Sequence, residues 1–576
     1  MELEPFTFEV IQDSFYAITE EMGAELVRIA NSTIIRESRD CATGLTDATG
    51  QVVAQAALTP GHFMTIASAT KGALRAIPAE QWKPGDVVIT NDPWICAGHL
   101  PDTFLLAPFF HSGRLIGFLS CVAHQIDIGG VNPGGTTPNT SSIYDEGLQI
   151  PPVKIFNEGK LDRAVLDIIR KNSRMPDVVG TDFQAEAAVT IRGQRLMGEL
   201  CDKYGADAVT WAMQESIDRS ESQIRQVFAG MADGVYEAED FVDDDYWTDE
   251  RVRIKVTLTV KGSDLYVDYT GSGAQTRGGI NVTPPYRDAY TQMAIRCFTG
   301  PSIPQNEGCY KPVHISAPLG TVLNPRYPAA VAGRHTCIPR ITDVVAAVMS
   351  QAMKGRALAG SGGLLGQPVF SGFDEASGRR WIMMDNSHGG LGARADQDGV
   401  DCVAWPWNAS NHPIESLELQ APLRIARYQL HEDSEGPGTW RGGLGLIKDY
   451  ELLADGVNVQ TGGDRFKAPS TGLAGGGVSI PQEYVIIRDG QTLPVKSKSE
   501  LTLRRGDVFS VRMPGGGGFG PAWRRDPALV ARDVSQGYVS PARARSAYGV
   551  ALRADGTIDE DETAALRSAM KGAAGG

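Results

Sequence analysis

The sequence predicts an α+β chain of several domains: mixed and antiparallel sheets with packed helices, a β-rich C-terminal half and a short helical tail. Three observations predict it. At 576 residues the chain exceeds what one hydrophobic core usually serves. Apolar residues recur at three- and four-residue steps near the N-terminus and again between about 160 and 229, whereas runs after residue 252 alternate with a period of two. From about 445 the chain is strand-rich as far as the glycine run at 515–520, after which helical spacing returns.

In chain order, Phe8, Ile11, Phe15, Ile18, Met22, Leu26 and Ile29 predict a long amphipathic helix over 8–31 with Thr7 as its N-cap. It leads into Arg36-Glu37-Ser38-Arg39-Asp40-Cys41, and Asp47-Ala48-Thr49-Gly50 reads as a β-turn before a strand at 51–55. Residues 86–90 read as a short strand that Asn91, Asp92 and Pro93 stop. Two β-rich runs, 103–110 and 114–123, are joined by His111-Ser112-Gly113, read as a three-residue hairpin turn. Residues 133–137 are too rich in Gly and Pro for regular structure and suit a loop closing over a site. Alternation at 252–260 and 264–269 predicts an antiparallel pair, and 340–354 an amphipathic helix. Gly515–Gly520 fits Gly-x-Gly-x-x-Gly, but Pro521 follows where a helix N-terminus should receive a pyrophosphate, which argues against a dinucleotide fold. The expected domains are 1–232, 233–445, 446–525 and a helical tail at 526–576.

Composition narrows the class. The chain carries 42% hydrophobic and 21% charged residues, an ordinary globular balance. A net charge of −15 leaves no basic face for a nucleic-acid backbone. The eight cysteines contain no Cys-x-x-Cys, so neither a zinc knuckle nor a disulfide framework is indicated. Met1-Glu2-Leu3-Glu4 opens on acid, and no apolar run reaches the roughly 18 residues of a membrane span. A cytoplasmic chain with reduced thiols is expected.

The chemistry gathers between Asn91 and Gly130. A hairpin turning about Ser112 pairs residues whose numbers sum to roughly 224, which sets Asp102 opposite Cys121 or Val122 and His124 one diagonal step, about 7 Å, away. The open end of the hairpin then brings His99, Asp102 and His124 together, with Asp127 close by. Imidazoles and carboxylates converging at strand ends are the ligand set of Zn²⁺, Mn²⁺ or Fe²⁺, and His-x-x-Asp spacing lets both side chains approach one ion. For a single pair the simpler reading is a capped turn. Two such pairs bracket this hairpin in a chain of only nine histidines, so a metal site is expected. Ser387 beside His388 lacks a Gly-x-Ser-x-Gly elbow, which weighs against a nucleophile there.

Asn91-Asp92-Pro93, His99-Leu100-Pro101-Asp102, His124-x-x-Asp127-Ile128-Gly129-Gly130 and Glu146-Gly147-Leu148-x-Ile150-Pro151-Pro152 resemble the B subunit of the ATP-dependent hydantoinase/oxoprolinase family. That family includes N-methylhydantoinase, 5-oxoprolinase, caprolactamase-type lactamases and the acetone and acetophenone carboxylases. Pro304-x-Asn306-Glu307-Gly308, Arg334 and Asn411-His412-Pro413-Ile414-Glu415 extend the likeness, while Ile95-Cys96-Ala97 departs from the Gly-rich step many members have there. The resemblance implies one divalent metal (Zn, Mn or Fe) on Asp40, His99, Asp102 and His124. It also implies catalytic roles for His124, Glu146 and Asp127, the last behind the ligands or as the base orienting water. His62 is implied near the site, and His412 and Glu415 in the pocket wall. No Gly-x-x-x-x-Gly-Lys-Ser/Thr loop occurs, so ATP and Mg are expected on a separate A subunit, in a hetero-oligomer such as A2B2. The implied substrate is a phosphorylated lactam, hydantoin or 5-oxoproline. The alternatives are a ketone carboxylase acting on an enol phosphate, and a scaffold whose metal is structural.

Overall fold

The first helix runs Pro5–Ile29, starting before the apolar spacing does, because a proline in the first turn costs no hydrogen bond; Glu4, not Thr7, takes the cap position. In the computed structural model, which describes residues 3–374 and 378–574, its buried stripe of Phe8, Ile11, Phe15, Met22 and Leu26 lies in one core with the long helix Pro176–Tyr204. The stretch expected to be helical from 160 to 229 is three helices, Arg163–Asn172, Pro176–Tyr204 and Ala206–Ala229. Pro176 opens the second, and Gly205, at φ 86°, turns the chain into the third.

These helices cover one face of an antiparallel sheet. Its strands are β1 (Cys41–Asp47), β2 (Val52–Gln55), β3 (Val87–Thr90), β4 (Asp102–His111), β5 (Arg114–His124), β6 (Val153–Asn157) and β7 (Lys160–Leu161). They lie in the order β2-β1-β5-β4-β3-β6-β7. Central β4 and β5 are buried on both faces. Leu119, Cys121 and Ala123 join the core of the long helices, while Phe104, Leu106, Phe118 and Val122 meet Ile66, Ala69 and Ala73 of the helix Ile66–Ala76.

The hairpin differs from its expected register. Ser112 and Gly113, at φ 49° and 79°, form a two-residue turn whose positive φ values match the strand twist, so no third residue is used. Phe110 pairs with Leu115 but Phe109 pairs with Gly117, leaving Ile116 as a bulge. The shorter turn and the extra residue together slide Asp102 past Cys121 and Val122 until it faces His124 directly.

A second sheet begins at Gly234. Its strands are β8 (Gly234–Val242), β9 (Val252–Lys261), β10 (Asp264–Asp268) and β11 (Val313–Ser316), in the order β11-β10-β9-β8, with β10 and β11 parallel. The helices Pro284–Arg296 and Ile338–Ala352 share its core.

Strand pairing crosses the division expected at 445/446. Leu423–Leu430 pairs with Leu446–Leu452, and Val369–Asp374 pairs with Val457–Gly462. Phe370, Met383 and Leu423 share one core with Tyr450, Phe509 and Val511, so neither side of that division buries its apolar face alone. The tail holds three helices, Pro527–Ser535, Pro541–Tyr548 and Glu560–Ala574, around a small core of its own. Among the described residues no helix is long and apolar enough to cross a membrane.

The second sheet and the C-terminal β unit are tied by buried charge. Arg465 reaches Asp240 of β8 at 2.9 Å and Asp343 of the helix Ile338–Ala352 at 2.5 Å, and Arg340 pairs with Asp464. Removing one partner of such a group strands the other in a low-dielectric interior. Arg465→Met should therefore destabilise the protein by on the order of 3–5 kcal/mol, read as a clear fall in melting temperature; an unchanged melting curve would show that the pairing is energetically idle.

Candidate metal centre

Asp102 opens β4, His124 closes β5, and the ladder sets them opposite each other. His99 reaches the same point from the turn before β4, where the Asp102 amide donates to the His99 carbonyl at 3.2 Å. Asp102 Oδ1 lies 2.9 Å from His99 Nε2 and 3.0 Å from His124 Nδ1, and the two nitrogens are 3.1 Å apart. All three residues are buried. Among the described residues they form the group of three side chains able to hold a metal.

Protonation tests the fit. His99 Nδ1 lies 3.3 Å from the Ala332 carbonyl, which can only accept, so the proton is assigned to Nδ1 and Nε2 presents a bare lone pair. Burial, with the neighbouring Arg334 charge, pushes His99 down to about 3, and the ring stays neutral. Burial works against the Asp102 charge, yet the Arg334 guanidinium beside it holds the carboxyl well below the usual range. The Arg334 guanidinium donates to Asp102 Oδ2 at 2.7 Å, leaving Oδ1 to face the histidines. Lone pairs from His99 Nε2 and Asp102 Oδ1 thus converge on the point that His124 Nδ1 also faces, and one proton on that nitrogen could bridge only one edge of the triangle at a time. Bonds of about 2.1 Å to one divalent cation place neighbouring ligands about 3 Å apart, so the donor set fits such an ion. Two imidazoles and one carboxylate suit Zn, Mn or Fe with coordination positions left open.

The cluster faces a narrow cavity of about 30 Å³, walled by Asp40, His62, Tyr286, Arg334, Gln367 and Asn386 among others. That is room for an ion and one or two waters. Buried ring nitrogens of His62, His124 and His335 find no protein partner among the described residues. Gly98 is needed here, since a Cβ on it would stand 2.0 Å from Arg334 Nε and bar the guanidinium from Asp102.

The other expected residues divide. Asp40 lines the cavity with a quarter of its side chain accessible, but lies outside the three-residue group and bonds His62 Nε2 at 2.9 Å. Burial opposes both charges of this pair, yet Asp40 is lowered by the His62 ring and His62 is raised by Asp102 and Asp40. Glu146 stands one step behind the cluster. Its Oε1 accepts from the Thr140 hydroxyl at 2.8 Å and from the Val331 and Ala332 amides at 2.7 and 2.9 Å, fixing the segment whose carbonyl orients His99.

Asp127 is elsewhere engaged. Its carboxylate accepts from the Arg174 amide at 2.7 Å, the Arg174 guanidinium at 2.9 Å and the amides of Gly129 and Gly134. The expected role of orienting water therefore does not fall to it. The reason is local: β5 ends at His124, so neither strand alternation nor the tight turn that joins His99 to Asp102 carries Asp127 back to the cluster. Glu415 is exposed in the first turn of the helix Ile414–Gln420, and His412 is buried outside the cavity wall. Ser387 Oγ meets the Tyr450 hydroxyl at 3.4 Å rather than His388. Sequence reasoning missed Tyr286, His335, Gln367 and Asn386 in the wall, and no spacing rule connects them with residues 99–124.

A buried cluster of two histidines and one carboxylate, at the mouth of a hairpin and walled by three parts of the chain, marks a multidomain α+β protein whose central donor set would fit a divalent cation. Residues 4–522 match the Hydantoinase B/oxoprolinase family, and the chain belongs to that family. It is 34% identical to a Pseudomonas sp. protein provisionally named as the B subunit of a D-/L-hydantoinase, over 98% of each chain. It superposes on the crystal structure of ATP-dependent caprolactamase from Pseudomonas jessenii with a TM-score of 0.91 and 28% identity, covering 99% of this chain and 100% of that one. The fold is also that of a nucleotide-free acetone carboxylase chain, with a TM-score of 0.91 at 22% identity over 99% of this chain and 83% of the other.

Glu146 gives a pH test. Burial pushes its carboxyl from 4.5 up to about 7, against the pull of the Ala332 amide and the Thr140 hydroxyl. A raised carboxyl pKa favours the protonated folded state, so this contribution is complete below the ordinary value and is lost as pH rises through about 7. Glu146→Gln keeps the Oε1 acceptor and removes the charge. It should melt above the wild type at pH 8.5, by on the order of 2–3 kcal/mol of stability, with the two curves converging by pH 5. A gap that stays constant over that range would contradict the assignment.

Proposed function

We propose that this chain is the hydrolytic B subunit of a two-subunit, ATP-dependent cyclic-amide hydrolase, and that His99, Asp102 and His124 hold one divalent cation, Zn, Mn or Fe. The observation that carries this reading is the convergence of His99 Nε2, Asp102 Oδ1 and His124 Nδ1 within 2.9–3.1 Å of one another. Relatives named as a hydantoinase B subunit and a caprolactamase beta subunit support it. ATP and Mg fall to an A subunit in this reading, since the sequence carries no P-loop, and the pair assembles as a hetero-oligomer such as A2B2.

The substrate is a lactam, hydantoin or 5-oxoproline whose carbonyl oxygen the A subunit has phosphorylated. Water adds to the ring carbon, and the C–N bond breaks as the nitrogen takes up protons. A second water cleaves the resulting acyl phosphate to carboxylate and phosphate. A cation on the three ligands supplies Lewis acidity, polarising an oxygen and lowering the pKa of coordinated water toward about 7. Asp40 stays with His62 in this reading rather than joining the ion. His62, its proton held by Asp40 at 2.9 Å, is placed to protonate the departing nitrogen. Arg334 keeps Asp102 turned toward the histidines, and Glu146 does the same for His99 through the Ala332 segment.

The test is the chain expressed with its ATP-binding partner and offered lactams, hydantoins and 5-oxoproline with ATP, or ketones with bicarbonate and ATP. The wild type should release a ring-opened amino acid and contain about one divalent ion per chain. His124→Ala should lose the ion and at least about 100-fold in turnover in a complex that still assembles. Turnover surviving in an assembled, metal-free His124→Ala complex would leave the chain a scaffold, and a carboxylated ketone would make it part of a carboxylase.

A further inference from the structure

Behind the cavity wall a chain of hydrogen bonds runs in one direction. Asp385 is fully buried and accepts from Lys448 Nζ at 2.5 Å, the Tyr450 hydroxyl at 2.6 Å and His412 Nδ1 at 3.1 Å. Burial opposes its charge, but Lys448 and His412 hold the carboxyl below the usual range, so it is ionised and can only accept. His412 is therefore assigned as the Nδ1–H tautomer, donating to Asp385 and accepting at Nε2, 2.9 Å from Ser38 Oγ. The Ser38 hydroxyl donates to that nitrogen, and its oxygen accepts from Asn386 Nδ2 at 3.2 Å. With its amide so oriented, Asn386 presents Oδ1 to Gln367 Nε2 at 3.1 Å.

Ser38, His412 and Asp385 thus stand in the order of a nucleophilic triad, drawn from positions 374 and 27 residues apart. The placement argues for a different use. Ser38 is buried and absent from the cavity wall, whereas Asn386 and Gln367 both line the cavity shared with His99 and His124. Ser38 Oγ is occupied on both sides, and what the carboxylate at the far end determines is which way each amide points. Gln367 is left half-buried, and among the described residues its Oε1 and second N–H meet no partner.

We propose that Gln367 recognises the ring nitrogen of the substrate, and that Asp385, His412, Ser38 and Asn386 are positioning residues that fix its amide toward the metal cavity. The inference rests on the cyclic-amide reading above and names the residue that enforces it. A carboxamide offers a donor and an acceptor side by side, the complement of the cis amide that a small ring imposes. Its N–H meets the nitrogen lone pair of a phosphorylated ring, and its Oε1 accepts once that nitrogen carries a proton. The enol phosphate of a ketone has no such atom.

The experiment uses the full chain loaded with its divalent metal and two probes, 2-pyrrolidinone and N-methyl-2-pyrrolidinone, with dissociation constants read by ligand-observed NMR. The wild type should prefer the N–H form by about tenfold, the worth of one buried hydrogen bond. Gln367→Ala should bind the two within twofold of each other at unchanged metal content, and Ser38→Ala should show a reduced preference. A wild type that binds both alike, or neither, overturns the inference, as does a preference that persists in Gln367→Ala. In the two-subunit complex, Gln367→Ala should lower kcat/KM for a lactam about tenfold. Ser38→Ala that abolishes turnover while leaving the N–H preference intact would make Ser38 a nucleophile and overturn its positioning role. If the complex opens no cyclic amide while the chain still discriminates the probes through Gln367, the proposed activity fails, and with it the substrate role of Gln367, leaving only a site that selects a ring N–H.

Discussion

The buried ion pair between Arg334 and Asp102 is the interaction on which the rest of the structure depends. Asp102 has no solvent exposure, and a carboxylate in that position is tolerated only if its charge is paired and its oxygens are satisfied. Arg334 pairs the charge and satisfies Oδ2, 232 residues further along the chain, at 2.7 Å. It is held by the Tyr286 hydroxyl at 3.1 Å and lies over the Tyr286 ring, 4.5 Å from the centroid. Gly98 leaves the space it occupies. The pair joins the N-terminal sheet to the second body of the chain, and it divides the labour of one carboxylate: Oδ2 secures the assembly, and Oδ1 faces the histidines.

Around that centre each wall contributes a different kind of control. The N-terminal sheet contributes the donor atoms, because strand register is the most rigid way to hold two side chains opposite each other. The segment before Arg334 orients His99 through Ala332, and Glu146 in turn holds that segment. The C-terminal β unit brings Asn386 and, through Lys448 and Tyr450, the fixed charge from which the amide orientations follow. Charge is paired at every level, Asp40 with His62 and Asp385 with Lys448, as a nearly dry site requires.

Much of this was legible in the primary structure, for reasons that can be stated residue by residue. His99 and Asp102 are three apart at a strand entry, and His124 ends the only other strand of a short hairpin, so local geometry alone brings them near. The register was misjudged because a type I′-like turn and the Ile116 bulge each shift the pairing, and neither has an unambiguous signal in His111-Ser112-Gly113 or in the apolar run that follows. Asp127 was misplaced for a related reason: its spacing from His124 copies that of His99 and Asp102, but the strand ends between them. The boundary at 445/446 marked a change in local pattern, while strand pairing paid it no regard.

By itself, then, the sequence determined most of the elements, the hairpin and the meeting of His99, Asp102 and His124, because each rests on contacts between residues close along the chain. Tertiary structure alone decided that Arg334 neutralises Asp102, that Glu146 acts through Ala332, and that Ser38 meets His412 and Asn386 across almost the whole length of the protein. Those partners are chosen by which apolar faces must be buried against one another. That choice brings distant polar groups into contact without leaving any spacing between them to read.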